Sequence, residues 1–108
     1  VSPPGLPTQL TVVAACTNRV LLAWSDNSDN EDAFEIERRE GQGAFVFVGA
    51  VEANVTGFTD AGVQPNTLYT YRVRATNGDG ASNYSPEAGG QTALQPPAAP
   101  GGVTVTPL

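Results

Sequence analysis

The sequence predicts an all-β fold, a seven-strand antiparallel sandwich of two sheets. Three observations point to it. Short apolar runs alternate with period two, and none keeps a helical period over more than a turn or two. The 12 Gly and 9 Pro residues fall mostly between those runs, as turn residues do in an all-β chain. With 40% apolar and 15% charged residues, a chain of 108 residues can bury one core and form one domain.

Each strand follows from its own alternation. Leu10 and Val12 flank Thr11 in the first, and Val20, Leu22 and Trp24 form an inward set in the second. Phe34, Ile36 and Arg38 alternate with Glu35, Glu37 and Arg39 in the third. Phe45 to Val51 is apolar on both faces, and Phe45 and Phe47 share a face expected to pack inward. Val55 to Thr59 is a fifth run built around Phe58. Tyr69, Tyr71, Val73 and Ala75 alternate with Thr70, Arg72, Arg74 and Thr76, the clearest strand in the chain. The seventh spans about Tyr84 to Thr92, where Pro86 marks a sheet edge. Turn-rich stretches separate the runs: Asp26 to Asp32, Gly41 to Gly43, Asp60 to Asn66 and Asn77 to Gly80. The expected core is Trp24 with Leu22, Ile36, Tyr71 and Val73.

Proline marks the ends. Seven of the nine lie within residues 1–7 or 96–108, which divides the chain into a linker over 1–7, a domain over 8–92 and a tail over 93–108. The tail repeats the start of the chain. Pro4-Gly-Leu-Pro7-Thr-Gln-Leu10-Thr-Val12 returns 93 residues later as Pro97-Ala-Ala-Pro100-Gly-Gly-Val103-Thr-Val105. One sandwich domain has that length, so the tail reads as the first strand of a following repeat in a tandem array. Val103 to Thr106 is expected to be extended, against an edge strand or apolar surface of its own domain or of a neighbouring molecule.

Charge and composition exclude several classes. The net charge is −6, and the basic residues are 5 in all, every one an Arg. No basic surface is available to displace counterions from a nucleic acid, nor a polybasic patch for a membrane. The absence of His and the single Cys exclude a Ser–His or Cys–His pair, an internal disulfide and most zinc sites. No apolar run approaches the twenty residues of a membrane span and no secretory leader is read, so the chain is expected to be a mature fragment.

Several runs together resemble a fibronectin type III domain over about Pro4 to Thr92. Trp24 falls where that family keeps its second-strand core Trp. Val63-Gln-Pro65-Asn-Thr67-Leu-Tyr69-Thr-Tyr71-Arg-Val73-Arg-Ala75 resembles its sixth-strand signature, with Asn66 where Gly is usual. The resemblance implies that Tyr69 is the corner tyrosine, its hydroxyl tied to backbone between Gly62 and Pro65. It also places the third and sixth strands side by side, so that Glu35 and Glu37 face Arg72 and Arg74. Asn77-Gly-Asp-Gly80-Ala-Ser82-Asn-Tyr84-Ser85 is similar to the family's last hairpin and strand. Trp24-Ser-Asp26 through Glu37-Arg38 is similar to versions frequent in secreted and cell-surface proteins of bacteria and archaea, which implies an extracellular setting.

Candidate sites compete with plainer roles. Asp26, Ser28, Asn30 and Asp32 alternate like calcium-loop ligands and Glu37 falls twelfth, but Glu31 replaces the turn Gly; a loop closed by Asx-type bonds is the alternative. The carboxylates between Asp26 and Glu40 read as a solvated face rather than general acids. Phe45, Phe47 and Tyr84 are the only rings available to a carbohydrate. Asn77 to Gly80 lies where some family members carry an integrin-binding Arg-Gly-Asp, but the Arg is absent and a tight hairpin is expected. Cys16 is expected to be a small buried hydrophobe, the alternative being a link between chains. Asn54-Val-Thr56 and Asn83-Tyr-Ser85 are glycosylation triplets. No catalytic, metal-binding or cofactor-binding residue is assigned, and no cofactor is expected. The expected function is a non-catalytic spacer or accessory module of a secreted or surface protein, monomeric, with the neighbouring domains of the same chain as partners. The alternative is a ligand-binding module for a carbohydrate or protein. No nucleic acid partner and no membrane insertion are expected.

Overall fold

A computed structural model describes residues 4–94. All its regular structure is β: β1 Thr8–Ala15, β2 Val20–Ser25, β3 Ala33–Glu40, β4 Val46–Glu52, β5 Gly57–Asp60, β6 Leu68–Asn77, β7 Gly80–Ala81 and β8 Ala88–Gln91. One sheet has the order β1-β2-β5; the other has β4-β3-β6-β7, with β8 also on β6. Every pairing is antiparallel. The expected extension of Val103 to Thr106 lies outside the described residues.

The core forms where the two inner faces meet. Leu10, Val20, Leu22 and Trp24 come from the first sheet, and Phe34, Ile36, Tyr69, Tyr71, Val73 and Ala75 from the second. Trp24 packs on Phe34 with centroids 5.6 Å apart and planes tilted by 59°. The five residues expected at the centre are all buried. Residues 4–7, taken from their prolines as linker, lie against the sandwich. Pro4 and Pro7 are buried, and the Asn27 amide donates to the Leu6 carbonyl at 3.1 Å.

β1 carries register shifts between Thr8 and Thr11 and between Val12 and Ala14, and β5 begins at Gly57 instead of Val55, but β4 and the last strand depart furthest from the alternation. The β3–β4 register shifts between Ile36 and Glu37, so that Gly49 faces Ile36, Phe47 faces Glu37, and Val48 is the extra residue of a bulge. One extra residue exchanges the faces of everything before it. Phe45 and Phe47, expected inside, therefore belong to the outer face, and Phe47 is 60% exposed. Gly49 takes the inward place, and the Phe58 ring fills the space a side chain would occupy. A Cβ on Gly49 would sit 2.7 Å from two Phe58 ring carbons.

The expected seventh strand is divided. Pro86 has no N–H to give, and the backbone between β7 and β8 leaves the ladder. Two serine hydroxyls stand in: Ser82 Oγ accepts from the Ala75 N–H at 2.9 Å and Ser85 Oγ from the Val73 N–H at 3.1 Å. The Ser82 and Ser85 N–H groups return bonds to the Ala75 and Val73 carbonyls. The β6 donors stay satisfied without a continuous strand.

Polar ties fix the remaining geometry. The Tyr69 hydroxyl accepts from the Gln64 N–H at 2.8 Å, so the corner tyrosine lies where the resemblance placed it. Asn66 has φ +52°, a left-handed backbone that Asn tolerates and Gly adopts freely. Buried Asp60 on β5 joins the sheets. It accepts from Arg38 at 2.8 Å, from the Tyr71 hydroxyl at 2.8 Å and from the Gly62 N–H at 3.1 Å. Burial, then the bond to Asp60, pushes the Tyr71 phenol well above its ordinary value of 10.

Gly49→Ala is expected to lower stability by about 1–3 kcal/mol in urea unfolding, because the Phe58 ring must move. The raised Tyr71 value means that the folded state holds this proton more tightly than the unfolded chain. Its contribution is therefore complete below pH 10 and declines as pH rises past 10 toward the folded value. Tyr71→Phe should cost about 1.5–3 kcal/mol at pH 7, by removing a bond to a buried carboxylate. It should also flatten the fall of stability between pH 10 and 12. An unchanged alkaline profile in that variant would contradict the Asp60 tie.

Candidate interaction surfaces

The chain enters and leaves the sandwich at opposite poles. Thr8, at the start of β1, pairs with Ser25, whereas Ala15, at its end, pairs with Val20. The departing Ala93 N–H donates to the Cys16 carbonyl at 3.3 Å, beside the β1–β2 turn. The N-terminal pole carries the acidic loop, the β4–β5 turn and the β6–β7 hairpin. Asp26, Asp29, Glu31, Asp32, Glu52 and Asp79 all lie there, with no arginine. The other five carboxylates equal the five arginines in number, so the entire net charge of −6 resides at one pole.

The acidic loop is closed by its own side chains. Asp26 Oδ1 accepts from the Ser28 N–H at 2.9 Å, and Ser28 Oγ donates to Asn30 Oδ1 at 2.6 Å. Glu31 folds inward, and its Oε2 accepts the Asn54 N–H at 3.0 Å. Glu37 is bonded to Arg72 on the sheet face instead of turning toward the loop. Among the described residues no three carboxylates, Cys or His converge as a metal site would require.

The outer face of the second sheet carries the expected charge ladder. Arg72 bonds Glu37 at 2.6 Å and Arg74 bonds Glu35 at 2.8 Å. The bulge adds what alternation does not show, a stack of guanidinium groups and rings. Arg72 lies 4.1 Å from the Phe45 centroid and 3.9 Å from that of Tyr84. Arg39 covers Phe45 at 5.3 Å and Arg74 covers Tyr84 at 4.9 Å. Each such contact contributes about 0.5–1 kcal/mol at an exposed site. Burial, then the bond to Glu37, raises the Tyr84 phenol. Phe45 and Tyr84 thus have guanidinium groups stacked against their rings. Phe47 is left as a single exposed ring on the edge strand, beside Val46, 52% exposed.

The other candidates have local roles. In the β6–β7 hairpin, Asn77 Oδ1 accepts from the Asp79 N–H at 2.8 Å, and Gly80 alone takes positive φ. Cys16 is half-buried beside the β1–β2 turn instead of interior, its N–H donating to the Arg19 carbonyl and its carbonyl accepting from Ala93. A shallow apolar recess of about 560 Å³ opens beside the end of β4, lined by Asp32, Ala33, Ala50, Val51, Glu52 and Val55.

Thermal unfolding in millimolar calcium and in excess chelator should give coincident curves, since Asp26, Ser28 and Asn30 are held by bonds within the loop, Glu31 is turned to Asn54 and Glu37 is held by Arg72. A rise of several degrees with calcium would overturn that account of the loop.

Comparison with known proteins agrees with this geometry. The family model described as "Fibronectin type III domain" matches residues 3–91. Sidekick-2 of Gallus gallus is 36% identical over 96 residues, covering 82% of this chain and 4% of that protein. Human Roundabout homolog 3 is 32% identical over 89 residues, covering 79% of this chain and 6% of that protein. The chain is therefore a small fraction of the length of the relatives it matches. Among solved structures, the FN1–FN3 domains of chicken CNTN1 match with TM-score 0.74 at 20% identity, covering 85% of this chain and 32% of that one. An Fn3-like protein from Clostridium thermocellum matches with TM-score 0.68 at 25% identity, covering 88% of this chain and 99% of that one. In sequence signature, strand order and corner tyrosine, the chain belongs to the fibronectin type III domain family.

Proposed function

We propose that this domain is a non-catalytic spacer in an extracellular tandem array. The observation that carries the reading is the position of its ends. The chain arrives at one pole and departs at the other, so each copy adds its own length to an array. β1 alone, with 8 residues at ~3.3 Å each, spans about 26 Å. The repeat of the first strand after 93 residues supports a following copy, and the small share of each relative that the chain covers fits a module among many. The acidic pole adds direction, because two such poles repel and a head-to-tail order keeps them apart.

A second reading, a module that docks a protein partner, draws on Phe47 and Val46 at the free edge of β4. It differs from the spacer in needing that edge. Phe47→Ser abolishes docking in the second reading and leaves array length unchanged in the first.

Small-angle X-ray scattering of arrays of one, two and three copies at the 93-residue repeat tests the spacer. The maximum dimension should grow by near-equal steps of at least about 26 Å. Three copies scarcely longer than one would show that the domains fold back on each other.

A further inference from the structure

The two glycosylation triplets differ sharply in the folded chain. Asn54 occupies the β4–β5 turn with φ +68°, a left-handed position that suits Asn. The buried Glu31 carboxylate anchors its N–H at 3.0 Å, and the Trp24 N–H bonds the Thr56 carbonyl at 3.0 Å, so both ends of the triplet are fixed. Asn54, Val55 and Thr56 are all exposed. Among the described residues no hydrogen bond engages the Asn54 amide or the Thr56 hydroxyl. Asn83 is exposed, but its triplet ends in Ser85, which is buried. The Ser85 hydroxyl accepts from the Val73 N–H at 3.1 Å and donates to the Pro86 carbonyl at 3.0 Å. Pro86 also holds Ser85 extended, away from the turn that would bring its hydroxyl to the Asn amide.

We propose that Asn54, and not Asn83, is an acceptor for an N-linked glycan. The proposal rests on the extracellular reading, since the donor is met on the export route. The donor is an oligosaccharide on a polyprenyl diphosphate. The Asn54 amide nitrogen attacks C1 of its first sugar, and an N–C1 bond forms as the C1–O bond to the diphosphate breaks. The amide loses one proton to the transferase, the lipid diphosphate leaves, and no electrons are exchanged. Thr56 supplies the hydroxyl the transferase reads at the third position. A transferase that also reads an acidic side chain two residues upstream would find Glu52 at Asn54, whereas Asn83 has Ala81 there. A glycan on Asn54 stands beside the recess lined by Val51, Glu52 and Val55 and shields the end of the β4 edge.

The test is intact-mass spectrometry of the full chain exported by two hosts. One is an animal cell line with a secretory leader, the other a bacterium whose periplasm carries an acid-requiring oligosaccharyltransferase and its lipid-linked donor. Both should yield one glycan, lost in Asn54→Asp and in Thr56→Ala and kept in Asn83→Gln. Because Thr56→Ala leaves the Asn54 backbone untouched, it separates loss of the acceptor from misfolding. Glu52→Gln should remove the glycan in the bacterial host alone. An exported, folded wild-type chain without a glycan in both hosts, or one carrying it on Asn83, overturns the proposal. The extracellular reading fails by a different result, recovery of the parent protein from the cytoplasm of its own cells.

Discussion

β6 presents Tyr69, Tyr71, Val73 and Ala75 to the interior and Arg72 and Arg74 to the outer face, and every other element is placed relative to that alternation. β3, β7 and β8 all pair with it. Its inner face meets the opposite sheet, and Tyr71 reaches across to Asp60 on β5. A slip of one residue would send two tyrosines to solvent and two arginines into the core. That cost is far larger than any surface ion pair, so burial sets the register and the Glu–Arg ladder follows it.

The Asp60 cluster shows how a polar group is tolerated between the sheets. An unpaired carboxylate there would be costly, but Arg38, Tyr71 and the Gly62 N–H satisfy it. The Arg38 guanidinium also lies 5.2 Å over the Tyr69 ring. The corner tyrosine, the inter-sheet ion pair and the turn before β6 thus form one connected unit at the C-terminal pole. The opposite pole is built differently, from mostly exposed carboxylates, with the buried Glu31 tying the acidic loop to the β4–β5 turn and local side-chain bonds closing the acidic loop and the hairpin.

Much of this was legible in the chain. Period-two alternation located β1, β2, β3 and β6 and named the buried residues, because a two-sheet sandwich has one interior and a strand has only two faces. The resemblance carried by Val63 to Ala75 placed the corner tyrosine at Tyr69, and Asn66, standing where that family usually has Gly, takes a left-handed backbone in the structure. The exclusion of His-based chemistry and of an internal disulfide followed from composition alone. The tertiary structure decided what alternation cannot encode. A bulge at Val48 leaves no mark in a run that is apolar on both faces, so only pairing with β3 reveals that Phe45 and Phe47 point outward. The stack of Arg39, Phe45, Arg72, Tyr84 and Arg74 draws on four separate stretches of sequence and exists only once they are assembled. The gathering of the net charge at one pole has the same origin. The sequence counts charges, but only the strand directions bring loops far apart in the chain to the same end of the molecule.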